Sequence, residues 1–171
     1  MPCQQPPLQE RWDHGFQRRI IQILPGEYYA TCGQEVLFTV LGSCICACIQ
    51  ETALRIGGMN HFLLPGGTDT TTARYGDVAM NHLIQRISEL GGQHQYLEAK
   101  IFGGATLAHA TTAVGKKNIS FVRDYLTKMG IPLVSEDVGG RQPRKVYYIP
   151  VTNEVFVKKL GAFEEVDLPR C

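Results

Sequence analysis

Short apolar runs separated by turn residues occupy both ends of the chain, and between them two stretches carry apolar residues at helical spacing. Arg18–Leu24 and Glu27–Ala30 read as strands around the Pro25-Gly26 turn, and Glu35–Val40 reads as another ending before Gly42. Ile45–Ile49 and Gly58–Leu63 are strands joined through the polar segment around Glu51–Gly57. The period then changes. Met80, Leu83, Ile84, Ile87 and Leu90 recur at spacings of three and four within Tyr75–Leu90, and Gly91-Gly92 is the stop signal. Leu97–Phe102 is the next strand. A second helix is predicted from about Lys117 to Met129, with Ile119, Val122, Leu126 and Met129 as its buried stripe and Gly130 as its exit. Pro132–Glu136 is a strand, and Lys145–Pro150 with Glu154–Leu160 form a hairpin around Thr152-Asn153.

The resulting order is βββ–ββ–α–β–α–βββ, with about eight to ten strands and two substantial helices. Such an order predicts a layered α/β domain with largely antiparallel sheets, because the hairpins leave no repeated βαβ units. Residues 18–162 are expected to form one domain, between a flexible N-terminal tail (1–17) and a C-terminal tail (163–171). Neither GxGxxG nor GxxxxGK[ST] occurs, so no nucleotide loop is indicated.

At 171 residues and 44% hydrophobic composition the chain can bury a real core. Seventeen basic against sixteen acidic side chains give a formal charge of +1, so no polybasic surface points to nucleic acid or anionic lipid. No apolar run approaches bilayer length, so the reading is a soluble, cytoplasmic protein without membrane insertion. Six cysteines are present, but their spacing does not resemble a secreted framework. Cys3 and Cys171 lie near the ends, Cys32 is alone, and Cys44, Cys46 and Cys48 crowd one strand. A reducing compartment fits them.

Candidate chemistry centres on TVLGSCICACIQETALRIGGMNHFLLP, residues 39–65. An antiparallel register centred between Thr52 and Ala53 sets Cys44 opposite His61, on one face, with Cβ atoms roughly 4.5–5.5 Å apart. A thiol and an imidazole so placed make a nucleophile and its base. The Leu41-Gly42-Ser43 bend can expose backbone N–H groups to an acyl oxyanion, and the Thr39 hydroxyl is a candidate for holding the imidazole tautomer.

Each assignment has a plainer competitor. Buried cysteine is most often a small hydrophobe, the reading kept for Cys46 and Cys48. A zinc site is disfavoured, because Cys44 and Cys48 stand about 13 Å apart along an extended strand. His14, His82, His94 and His109 show no ligand spacing. His82 falls beside the apolar face of the first helix, as a structural or exposed group. The polar segment Gly66–Ala73 is a surface loop beside the proposed site.

LGSCICACI, GGMNHFLLP, YGDVAM, AKIFGGA and VGKKNISFV, spread from roughly Ile20 to Phe156, resemble successive motifs of the CheD family of chemoreceptor glutamine deamidases. That resemblance implies Cys44 as nucleophile, His61 as base, and Thr39 as the counterpart of the family threonine. It implies hydrolysis of receptor glutamine side chains to glutamate and ammonia, with glutamyl methyl ester hydrolysis in some members. No cofactor and no metal are required. It also implies an αββα-like sandwich related to the catalytic domains of deamidating toxins, the cytoplasmic helical domain of membrane-bound chemoreceptors as substrate, and the phosphatase CheC as a candidate partner. Gly42, Ser43, Phe102 and Gly103 are the expected oxyanion or substrate contacts, and 66–73 and 101–105 the expected receptor groove. Two alternatives stay open: a receptor- or CheC-binding regulator without efficient catalysis, and a generic cysteine protease.

Overall fold

A computed structural model describes residues 7–108 and 112–161 of the chain. Among these, ten strands and two α-helices follow the predicted order with one strand added at the start. The strands are β1 (Gln9–Asp13), β2 (Arg18–Gln22), β3 (Tyr28–Thr31), β4 (Val36–Leu41), β5 (Ile45–Glu51), β6 (Ile56–Asn60), β7 (Leu97–Gly103), β8 (Leu133–Val138), β9 (Arg144–Ile149) and β10 (Glu154–Lys159). The helices are α1 (Gly76–Glu89) and α2 (Val114–Met129). A single 3-10 turn, His94–Tyr96, leads into β7.

Two five-stranded sheets stack face to face. One has the order β1-β2-β4-β9-β10 and the other β3-β6-β5-β7-β8. Only β2–β4 and β7–β8 are parallel, which matches the largely antiparallel expectation. Period-two alternation sorts the side chains into layers. Cys44, Cys46, Cys48, Met59, Leu63 and Phe102 from the second sheet meet Ile21, Leu37, Leu41, Val146 and Tyr148 from the first. Their neighbours Ile45, Ala47, Ile49 and Phe62 face the other way and pack under the helices.

Both helices lie against the second sheet. Met80, Leu83 and Ile87 of α1 and Ile119, Val122 and Leu126 of α2 are buried there, each worth about 1.5–3 kcal/mol relative to exposure. Gly130 closes α2 in the left-handed conformation, and the following Ile131 N–H returns to the Leu126 carbonyl. The outer face of the first sheet carries a separate apolar layer, in which Phe38 stacks on Tyr147 with ring centroids 4.7 Å apart.

Four expectations are corrected. Residues 9–13, assigned to a flexible tail, form β1 and pair with β2 from Gln9↔Gln22 to Asp13↔Arg18. Helix α2 starts at Val114 rather than near Lys117. Met129, assigned to its buried stripe, is 38% exposed because the stripe has rotated away from the sheet at the last turn. The fourth concerns register. Observed pairs Cys48↔Met59 and Glu51↔Ile56, continued by the bridge Ile45↔Phe62, set Cys46 opposite His61 and Cys44 opposite Leu63. The hairpin therefore turns at Thr52–Arg55, one residue later than expected. Glu51 is the cause: its buried carboxylate accepts the Leu54 N–H at 2.6 Å and tightens the turn, and Arg55 completes it at φ 57°. The C-terminal tail 163–171, residues 1–6 of the N-terminal tail with Cys3, and His109 and Cys171 lie outside the described residues.

Candidate active site

The register difference is an even number of residues, so it leaves Cys44 and His61 on the same face. They are diagonal neighbours at the inter-sheet surface, a relationship that spans about 7–8 Å between backbone positions and stays within reach of long side chains. Both are fully buried. Cys44 carries a disulfide in this structure, which the reading of a reducing compartment did not anticipate, and the form able to attack a carbonyl is the reduced one.

His61 is held on every side but one. Its N–H donates to the Glu27 carbonyl at 3.0 Å and its carbonyl accepts the Gly26 N–H at 2.8 Å. Across the sandwich, Nδ1 lies 2.8 Å from Thr39 Oγ1, and that hydroxyl donates to the Ile23 carbonyl at 2.6 Å. The tautomer follows. A carbonyl only accepts, so the single hydroxyl hydrogen of Thr39 is committed to Ile23, and Thr39 Oγ1 must accept from Nδ1–H. Nε2 is left with its lone pair, buried and without a hydrogen-bond partner. Burial also pushes the His61 pKa down to about 4, against a smaller opposing effect of the Ile23 carbonyl. The imidazole is therefore a neutral base with one nitrogen bare.

The bend before Cys44 is fixed by three donors. The Gly42 carbonyl accepts the Ala105 N–H at 2.9 Å, the Ser43 carbonyl accepts from Asn118 Nδ2 at 3.1 Å, and the Cys44 carbonyl accepts the Gly104 N–H at 2.8 Å. The IFGGA segment is thus the floor of this bend. Gly103 is required there: its φ is 111°, and a Cβ would collide with the Cys44 carbonyl oxygen.

Of the expected contacts, Gly42, Ser43 and Gly103 are brought to the bend, with Gly103 opposite Ile45 in β5–β7 pairing. Phe102 is 3% exposed and packs in the inter-sheet core, not in an open groove. The loop 66–73 leaves the site at Leu64 and rejoins it at Arg74, whose carbonyl accepts from the Leu63 N–H at 2.9 Å. Cys46 and Cys48 are buried free thiols, and burial drives the Cys48 pKa well above its ordinary value, as befits an inert group. His82 sits against the Tyr28 ring at 5.3 Å.

Sequence reasoning gave Asn118 no role. The signal was present: Asn118, Val122 and Leu126 share one helical stripe, and a polar residue at core spacing is an anomaly.

Residues 63–159 match the family model described as CheD chemotactic sensory transduction. The chain is 46% identical over 172 residues to a probable chemoreceptor glutamine deamidase CheD of Hahella chejuensis, covering 92% of this chain and 82% of that protein. It is 45% identical to proteins of the same name from Halorhodospira halophila, over 87% of this chain and 74% of the relative, and Herminiimonas arsenicoxydans, over 87% and 77%. In the first of these the uncovered part of the chain is too short to reach Cys44 or His61 from either end.

Proposed function

This chain belongs to the CheD family, and from that premise we infer that it is a hydrolase that deamidates glutamine side chains of chemoreceptors, using Cys44 as nucleophile and His61 as base. The observation that carries the mechanism is the bare Nε2 of His61, with Nδ1–H committed to Thr39.

In this reading Nε2 takes the proton of the reduced Cys44 thiol as sulfur attacks the side-chain carbonyl carbon of glutamine. The carbonyl π electrons move to oxygen, and a backbone N–H of the Gly42-Ser43-Cys44 bend stabilises the oxyanion. Collapse breaks the C–N bond, and the His61 imidazolium gives its proton to the departing nitrogen, releasing ammonia. His61 then removes a proton from water as its oxygen attacks the thioester, and the thiol leaves with glutamate formed. A glutamyl methyl ester would follow the same course with methanol as leaving group.

Because both reacting side chains are buried, substrate entry requires displacement of what covers them. The adjoining loop 66–73 is the proposed receptor-facing element. Receptor helices are cytoplasmic, which assigns this activity to the cytoplasm. Among the described residues no helix is long and apolar enough to cross a membrane. CheC is a candidate regulator on family resemblance alone.

Intact mass spectrometry of receptor helix peptides tests the reading. Wild-type protein should raise the mass of selected glutamine peptides by about 1 Da, and Cys44→Ala should not. Backbone cleavage would favour a protease, and stable receptor binding without mass change would favour a non-catalytic regulator.

A further inference from the structure

The peptide linking Ser43 to Cys44 is the only one of three successive peptides at the bend whose carbonyl is held by a side chain. Its neighbours are held by backbone N–H groups of Ala105 and Gly104, which substitution cannot easily remove. The side chain is Asn118, fully buried on α2. Its Nδ2 carries two hydrogens and meets two carbonyls: Ser43 at 3.1 Å, one residue before the nucleophile, and Leu63 at 2.9 Å, two residues after the base. The amide orientation is unambiguous, because both partners can only accept. Its Oδ1 has no partner. An unpaired buried acceptor destabilises a fold, so this position holds an amide for its two donors.

A trans peptide is planar and points its N–H opposite to its C=O, and no cis peptide occurs among the described residues. Fixing the Ser43 carbonyl toward α2, which packs on the helix side of the second sheet, turns the Cys44 N–H toward the opposite side. That is the side on which the Cys44 side chain packs. The next N–H, of Ile45, is engaged by the Phe62 carbonyl at 3.1 Å. We propose that Asn118 is a positioning residue that aims the Cys44 N–H at the carbonyl oxygen of the bound glutamine side chain. The inference rests on the thioester reading above and adds the group that orients its oxyanion donor.

Full-length reduced protein carrying Asn118→Leu or the isosteric Asn118→Asp is assayed in two ways. Ammonia release from a helical receptor peptide gives kcat and KM. Alkylation of Cys44 by iodoacetamide, read by peptide mass spectrometry, reports the thiol in a reaction that builds no oxyanion. The expected result is a kcat loss of about 100-fold with KM and Cys44 alkylation each within about threefold of wild type. Near-normal kcat in either folded variant overturns the proposal. So does alkylation that falls in step with kcat, or loss of a cooperative melt in both variants, since Asn118 would then be scaffold alone. Cys44→Ala run beside them separates the two levels. Full turnover by that variant sinks the thioester reading, whereas its inactivity beside active Asn118 variants sinks only this inference.

Discussion

Thr39 Oγ1 and His61 Nδ1 stand 2.8 Å apart although they belong to different sheets. Thr39 lies on β4, and His61 follows directly on β6. The tautomer of the imidazole is thereby tied to the stacking of the sandwich: Nδ1–H keeps its acceptor only while the two sheets hold Thr39 against His61.

Replacing Thr39 by Val should leave Nδ1–H buried without its acceptor, a loss of about 1–3 kcal/mol in stability. With the tautomer no longer held, kcat should fall roughly 10–100-fold, while Thr39→Ser retains most of the activity. Steady-state kinetics and denaturant melts of the two variants check this. Wild-type kcat in Thr39→Val would remove the hydroxyl from the mechanism.

Cys44, just before β5, and Cys46 within it should separate cleanly. Cys44→Ala should abolish ammonia release, whereas Cys46→Ala should keep turnover within about threefold of wild type, since deleting a small buried group away from the reaction acts mainly on packing. An active Cys44→Ala, or an inactive but folded Cys46→Ala, would reassign the nucleophile.

The pH dependence follows from the buried imidazole. With its pKa at about 4 in the folded protein, His61 stays neutral through pH 5, so the acid limb of kcat/KM should break near pH 4 rather than near 6.5. Stability moves with it. Between pH 4 and pH 6.5 the unfolded histidine holds a proton that the folded one lacks, so stability rises with pH across this window. The His61 contribution is complete above about 6.5 and is lost as pH falls through 4, amounting to about 3 kcal/mol. Melts of wild type and His61→Gln at both ends of the window should differ in slope, and parallel curves would contradict the assignment.

Gly103→Ala should be far more damaging than Gly130→Ala. Both glycines have positive φ, but a Cβ at 130 meets nothing within 4 Å, whereas one at 103 strikes the Cys44 carbonyl. Gly130→Ala should cost about 1 kcal/mol and leave turnover intact, and Gly103→Ala should cost several times more and disturb the bend. Thermal melts with parallel ammonia assays check the contrast; equal effects would mean the bend tolerates the shift.

Much of this arrangement was legible in the residue pattern. Strand and helix order follow from local periodicity, and β1 escaped because QERWD is too polar to read as a strand, its pairing with β2 alone making it one. Cys44 and His61 on one face was also legible, and it survived a register error because a shift of two residues preserves the face. The error itself came from Glu51, whose carboxylate folds back on the Leu54 N–H and moves the turn, a contact without signature in a run of polar residues.

Facing is a local property, set by the two-residue repeat of a strand, so residue order alone puts a thiol and an imidazole on one surface. The state of those groups comes instead from long-range packing: Thr39 fixing the tautomer from the opposite sheet, burial depressing the imidazole pKa, and Asn118 reaching from a helix to the bend. Those contacts join residues 22 and 75 positions apart. Such distances are set by how sheets and helices stack, which no short-range pattern encodes.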